Sequence, residues 1–289
     1  QVDKEAQLIR QVTNGNYVVE SIAGIDAAND LVYFTGNYDS CLEKHLYFAP
    51  LFGNEEETDS NSTPKRLTNN GTTNVVTMDK SCSFVVINSS TIGSPPVVTV
   101  SRLIKRRNDD EWSVGLGDKH TIYDSKKEKS FKMVEKRLAS PEIFCFKNKT
   151  HDLTSEMDLY GALYLPDSSK HGSGPFPLIV ACYGGPHVQR VNRSWAQNID
   201  LRAQRLREAG FAVVKCDNRG SSRRGLKFEG AIKHNMGDIE VRDQVDCVKH
   251  LVEKGVADPD RVGMYGWSYG GYMSCMALAR AGEVFKVSV

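Results

Sequence analysis

The chain has 289 residues, with 37 Lys or Arg against 36 Asp or Glu, 40% hydrophobic residues and 25% charged ones. At about 150 residues per domain, that length allows two domains with real cores, and the composition excludes wholesale disorder and collagen-like repeats. A net charge of +1 provides neither a basic field for nucleic acid nor a polybasic stripe for a membrane surface. The longest strongly apolar stretch, Pro175 to Tyr183, falls far short of the ~20 residues of a membrane span.

The chain starts at Gln1, and its first residues, QVDKEAQLIRQV, lack the apolar segment of a secretory signal. The last residues, Glu283 to Val289, read as the start of a strand. Both ends are those expected of a piece of a longer protein. Seven cysteines are scattered without a C-x-x-C pair: Cys41, Cys82, Cys145, Cys182, Cys216, Cys247 and Cys275. Cys145, Cys182 and Cys216 sit in apolar, strand-like runs and are expected to be reduced core residues, which favours the cytosol. Asn-x-Ser/Thr triplets at Asn61, Asn70, Asn88, Asn148 and Asn192 would be acceptors only in a secreted chain.

Up to about residue 135, short apolar runs rich in Val, Ile, Phe and Tyr alternate with Gly, Asn and Asp turns. They are Val18-Val19, Leu31–Phe34, Leu46–Phe48, Val75-Val76, Phe84–Ile87 and Val97–Val100, and they predict short antiparallel strands. The pattern repeats. Gln11–Gly15 matches Arg66–Asn70, Gly24–Asp26 matches Thr77–Asp79, and Lys44–Leu51 aligns with Val97–Ile104, all at offsets near 53–55 residues. A four-strand unit of that period is the mark of propeller blades, and two blades do not close a ring. A plain β-sandwich is the competing interpretation. The acidic loop with Glu55, Glu56 and Glu57 is expected to be solvated. Lys105-Arg106-Arg107, followed by Asp109-Asp110-Glu111, is expected to form a self-neutralising surface turn.

From about Ser140 the rhythm changes. Ile143–Phe146 and Leu159–Leu165 predict a hairpin. Leu178–Tyr183 (LIVACY) and Phe211–Cys216 (FAVVKC) are continuous hydrophobic runs, as parallel strands buried on both faces require. A helix over 200–209 carries an Ile199, Ala203, Leu206 stripe that stops at Gly210. Another over 239–254 carries Val241, Val245, Val248 and Val252 and stops at Gly255. Strands alternating with such helices build a parallel α/β sheet.

At the end of the Val262–Gly266 strand stands Gly266-Trp267-Ser268-Tyr269-Gly270-Gly271-Tyr272, followed by the helix-compatible Met273–Arg280. This is the G-x-S-x-G nucleophile elbow of α/β-hydrolases: flanking glycines permit a tight turn that lifts the serine hydroxyl above the sheet at a helix N-terminus. Tyr183-Gly184-Gly185-Pro186 follows the LIVACY strand, where this fold places half of an oxyanion hole, with the Tyr269 N–H as the other donor. Asp217–Gly225 (DNRGSSRRG) reads as a Gly/Ser loop with three arginines, and a phosphate cradle is discounted for want of a trailing Lys-Ser/Thr.

The strings YGGP (183–186), DNRGSSRRGLKFEGAIKHNMG (217–237) and DRVGMYGWSYGGY (260–272) resemble the prolyl oligopeptidase clan. Within it they resemble the dipeptidyl peptidase IV family, with GWSYGGY and RGLKFEGA most like its cytosolic members. The resemblance implies an incomplete α/β-hydrolase fold preceded by an incomplete β-propeller. Residues 1–135 would be the last blades and 136–289 a truncated catalytic domain. The implied activity is serine exopeptidase removal of N-terminal dipeptides with Pro, or less readily Ala, in second position. Ser268 would be the nucleophile, and the Tyr183 hydroxyl and the Tyr269 N–H the oxyanion donors. The Tyr269 ring would form one wall of the proline pocket, and Trp267 would pack beneath Tyr183. No cofactor or metal is implied, and a homodimer is.

The pattern is incomplete. The 21 residues after Ser268 hold no Asp and no His, whereas the hydrolase triad runs Ser, Asp, His. All seven histidines precede Ser268: His45, His120, His151, His171, His187, His234 and His250. His187 is misplaced for a general base, and without one Ser268 is a poor nucleophile. The family's paired glutamates match nothing here. Alternatives to a partial dipeptidyl peptidase are an inert truncated homologue acting as a binding partner, and an acylaminoacyl or endo-acting oligopeptidase.

Overall fold

The computed structural model of the protein describes residues 11–51, 63–108, 111–149 and 156–289. The Glu55–Glu57 run, Asn61, Asp109, Asp110 and His151 lie outside the described residues. The chain divides into two compact units, Gln1–Met133 with Arg193–Trp195, and Val134–Asn192 with Ala196–Val289.

The first unit contains two four-stranded antiparallel sheets. One runs in the order β1 (Val19–Asp26), β2 (Leu31–Gly36), β3 (His45–Pro50) and β4 (Lys65–Arg66). The other runs β5 (Thr73–Met78), β6 (Phe84–Thr91), β7 (Ser94–Asn108) and β8 (Glu111–Asp124). The repeat in the sequence corresponds to the step from one sheet to the next. Leu31, Tyr33, Leu46 and Phe48 from the first sheet join Cys82, Val85, Ile87 and Leu103 in one apolar core. Lys105-Arg106-Arg107 lies in β7 rather than in the turn itself: Arg106 and Arg107 are at the surface as expected, but Lys105 reaches the buried Asp26 at 2.5 Å. A 15-residue strand simply carries the pairing past the point where composition suggests a loop.

The second unit is built on a six-stranded sheet in the order β14-β13-β11-β12-β10-β9. Its strands are β9 (Glu142–Lys147), β10 (Asp158–Tyr164), β11 (Phe176–Cys182), β12 (Ala212–Asp217), β13 (Ala257–Gly266) and β14 (Val287–Ser288). β9, β10 and β12 pair antiparallel, whereas β12, β11, β13 and β14 run parallel. β12 is buried along its whole length, and β11 nearly so. The helices are α1 (Lys129–Val134), within which the chain passes between units, α2 (Ser168–His171), α3 (Leu201–Glu208), α4 (Leu226–Glu229), α5 (Ile239–Glu253) and α6 (Tyr269–Ala281). Gly210 and Gly255, just past α3 and α5, adopt φ values of 93° and 71°, the left-handed turn that ends a helix. Leu178, Val180, Val214, Val248, Met264 and Phe285 lie at the centre of the core.

Two apolar expectations fail in this unit. Ile199 is 53% exposed. Asp200 caps α3 by accepting from the Ala203 N–H, so Ile199 precedes the helix and its side chain leaves the stripe. Cys145 is exposed because β9 is the edge of the sheet. Asn148 is buried, and its amide accepts from Met157 N–H and donates to Asp243, so that asparagine has a structural role.

Truncating fully buried Leu178 to Ala is expected to cost about 2–5 kcal/mol, read as a lower urea midpoint. Ile199→Ala is expected to stay within about 0.5 kcal/mol of the parent.

Candidate active site

Three segments converge at the carboxyl ends of the parallel strands, where open α/β sheets bind ligands. β13 ends at Gly266, the chain reverses through Trp267 and Ser268, and α6 begins at Tyr269. Ser268 has φ 57° and ψ −118°, a strained conformation for a residue with a side chain, and its side chain is exposed. A Cβ on Gly266 would lie 2.3 Å from the Gly270 backbone, and one on Gly270 would lie 2.4 Å from the Cys182 carbonyl oxygen. The elbow therefore exists only because α6 starts against the bare backbone of β13 and β11. The N–H groups of Gly271 and Tyr272 both donate to the Ser268 carbonyl, which locks the turn onto the helix.

The Tyr183–Pro186 loop leaves β11 beside this elbow. Gly184 has φ 79°, and a Cβ on Gly185 would strike the Tyr269 ring at 2.5 Å. The Tyr183 and Tyr269 rings lie 6.1 Å apart, and Tyr272 meets Tyr269 edge-on at 5.3 Å. The structure thus brings together Ser268, Tyr183 and Tyr269. It does not bring in Trp267, which is 87% exposed and does not pack beneath Tyr183. The elbow accounts for this: the Trp267 carbonyl accepts from the Gly270 N–H inside the turn, which sends the side chain outward.

Ser268 has no basic partner among the described residues. His187, φ 64°, is exposed and tied to Glu229 at 3.0 Å. His250 stacks on Phe144 and Phe146, and His171 meets the Glu208 carbonyl at 3.1 Å. No group of three or more His, Cys, Asp or Glu side chains that could hold a metal occurs among the described residues. No helix among them is long and apolar enough to cross a membrane.

The first half of the Gly/Ser loop, residues 217–221, is buried. Asp217, Asn218, Arg219 and Ser221 are all buried. Asp217 accepts from the N–H groups of Arg190 (2.7 Å) and Val191 (2.9 Å), fixing the far end of the loop that begins at Tyr183. Burial pushes its carboxyl up to about 7, against the pull of those two N–H groups and of the Arg190 and Arg224 charges. Asn218 donates to the Gly184 carbonyl at 2.8 Å and accepts from Gln244 at 2.8 Å. The Arg219 guanidinium grips Asp243 through two nitrogens, at 3.0 and 2.7 Å. The signal for this support was present as polar Glu240, Asp243 and Gln244 interleaved with the valine stripe of α5, too many polar groups for the inner face of a purely apolar helix.

Residues 197–289 match the prolyl oligopeptidase family, and residues 1–96 match the dipeptidyl peptidase IV (DPP IV) N-terminal region. The chain is 35% identical over 289 residues to dipeptidyl peptidase 8 of Mus musculus, covering 96% of this chain and 30% of that protein. The same identity holds for dipeptidyl peptidase 8 of Homo sapiens, across 96% and 29%. It is 26% identical over 290 residues to a probable dipeptidyl-aminopeptidase B of Arthroderma otae, across 95% and 27%. The chain therefore spans about 30% of the length of these relatives.

Two outcomes test the geometry. Gly270→Ala forces a Cβ into backbone and is expected to cost about 1–3 kcal/mol or more in thermal or urea unfolding. Gly271→Ala, whose Cβ would meet its nearest atom at 3.7 Å, is expected to be neutral or slightly stabilising. Separately, the native state keeps a proton on Asp217 that an unfolded chain releases at about pH 4. The contribution of Asp217 to stability therefore falls as pH rises from about 4 to about 7. Urea midpoints of Asp217→Asn are expected to decline less steeply across that window than those of the parent.

Two matched regions and relatives at 35% identity agree with the elbow and loop: the chain matches the dipeptidyl peptidase IV family of the prolyl oligopeptidase clan.

Proposed function

We propose that this chain is part of a serine exopeptidase that removes N-terminal dipeptides with Pro, or less readily Ala, in second position. The observation that carries the proposal is the positive-φ Ser268 held between Gly266 and Gly270 beside the Tyr183–Pro186 loop. In this reading the Ser268 hydroxyl attacks the carbonyl of the second residue while a base takes its proton. The oxyanion is met by the Tyr183 hydroxyl and the Tyr269 N–H at the start of α6. The leaving amine departs with that proton, and water hydrolyses the ester formed on Ser268. The base and its carboxylate partner come from residues beyond these 289, consistent with the share of the relatives that the chain spans. Tyr269, partly exposed between Tyr183 and Tyr272, is suited to wall a pocket for the proline ring.

The same reading makes the two four-stranded sheets blades of a propeller, supported by their shared order, by the repeat and by the match of residues 1–96. Cys82, Cys145, Cys182, Cys216, Cys247 and Cys275 are free thiols, which supports a reducing, cytosolic setting. No metal or organic cofactor takes part, and the whole protein acts as a homodimer.

The test is made on the protein at its native length, captured with an antibody to residues 140–289. A mass well above that of 289 residues, with cleavage of Gly-Pro and Ala-Pro reporters abolished by Ser268→Ala, is the expected result. A mass of 289 residues with no cleavage would overturn the proposal in favour of an inert binding partner. Cleavage only inside peptides, or only of acylated N-termini, would move it to another branch of the clan.

A further inference from the structure

Helix α5 buries three polar side chains within little more than one turn: Glu240, Asp243 and Gln244 are each fully inaccessible. A helix face directed at a core gains nothing from such groups unless each has work to do, because a buried polar atom left unmatched costs about 1–3 kcal/mol. Glu240 and Gln244 lie four residues apart on one face, and a chain of hydrogen bonds leaves each of them. From Glu240, Oε1 accepts from the Tyr269 hydroxyl at 2.8 Å and from the Gly237 N–H at 2.5 Å. From Gln244, Nε2 donates to Asn218 Oδ1 at 2.8 Å, and Asn218 Nδ2 donates to the Gly184 carbonyl at 2.8 Å. One chain ends on the residue after Ser268, the other on the residue after Tyr183. Neither arrangement is the least costly available, since Glu240 Oε2 and Gln244 Oε1 are buried without a hydrogen-bond partner among the described residues.

Resting on the assignment of Tyr183 and Tyr269 as the oxyanion donors, we propose that Glu240 and Gln244 are positioning residues. Together they form a two-armed brace on α5 that fixes the Tyr269 N–H and the Tyr183 loop at one separation. An oxyanion hole acts through donors that are already in place when charge develops, so their mutual distance has to be set by something stiffer than two loops. A 15-residue helix with both arms on one face is stiff in that sense. The arms differ in kind: one grips a side chain at the first residue of α6, the other a backbone carbonyl in the loop.

Both bonds to Glu240 fall on Oε1, so a glutamine can supply them and a leucine cannot. In the protein at native length with a Gly-Pro reporter, Glu240→Gln is expected to keep kcat within about threefold of the parent. Glu240→Leu is expected to lose about 10- to 100-fold in kcat with KM within about threefold, the scale of a donor displaced by a fraction of an ångström. Tyr269→Phe removes the same bond from its other end and is expected to fall likewise. Combining it with Glu240→Leu should add no further loss. Gln244→Leu is expected to lower kcat through the other arm.

Amide exchange is read in parallel and needs no catalysis. About tenfold faster exchange at Tyr269 and Gly270 in Glu240→Leu or Tyr269→Phe, and not in Glu240→Gln, supports the brace whatever the reporter shows. Unchanged exchange in Glu240→Leu and Tyr269→Phe overturns it, as does kcat within twofold of an active parent in both. A parent that leaves the reporter intact counts against the peptidase assignment, and exchange then decides the brace. Should Glu240→Leu fail to fold, Tyr269→Phe decides the same question.

Discussion

The second unit depends on one steric constraint: α6 must begin where two strands have already placed their backbones. At Gly270 the helix passes so close to the Cys182 carbonyl that any side chain would overlap it, and Gly266 and Gly270 press on one another across the turn. Everything near the site follows from that approach. Ser268 is forced to positive φ because the chain has to reverse without room for a wider loop. Its hydroxyl faces outward for the same reason, and the first N–H groups of a 13-residue helix lie beneath it. The cost is backbone strain of about 1–3 kcal/mol, carried by the apolar core that fixes β11, β13 and α6 together.

A second layer holds this geometry, and it is polar. Arg219 with Asp243, and Lys215 with Asp200 at 2.8 Å, are ion pairs with little access to solvent. Burial lowers the pKa of the Lys215 ammonium against the pull of Asp200, and Tyr164 and Gln197 also accept hydrogen bonds from it. Such pairs add little net stability beyond a well-packed apolar substitute, but removal of one partner strands the other in the core. Their effect is therefore on uniqueness: with the partners fixed, Asp217, Asn218 and Arg219 can sit in only one register beneath the Tyr183 loop.

Much of this was legible in the sequence wherever the physics is local. Hydrophobic runs marked β11 and β12, glycines marked the ends of α3 and α5, and the motif at 266–270 marked the elbow, because each follows from the period or steric size of neighbouring residues. The failures share a cause. Ile199 fits the stripe of α3 by spacing, but the cap at Asp200 starts the helix one residue too late to include it. Cys145 lies in an apolar run, but an edge strand has an open side that its own sequence does not declare. The resemblance places Trp267 beneath Tyr183, and the turn that takes up its carbonyl sends the side chain to solvent. The polar set at 217–219 reads as part of a Gly/Ser loop because its partners lie far along the chain, and only the fold brings them together.

Cys182 occupies an unusual position in this arrangement. Its carbonyl is the atom against which Gly270 packs, its sulfur would lie 3.2 Å from a Cβ on Gly184, and burial raises its thiol to about 12. A maleimide or iodoacetamide in solution can therefore find Cys145 and Cys275 at once but reaches the buried Cys182 only when the core around it opens. The chain thus carries its own chemical clock. The lag between labelling of the exposed thiols and labelling of Cys182 measures how often the core beneath the elbow opens, with no residue changed.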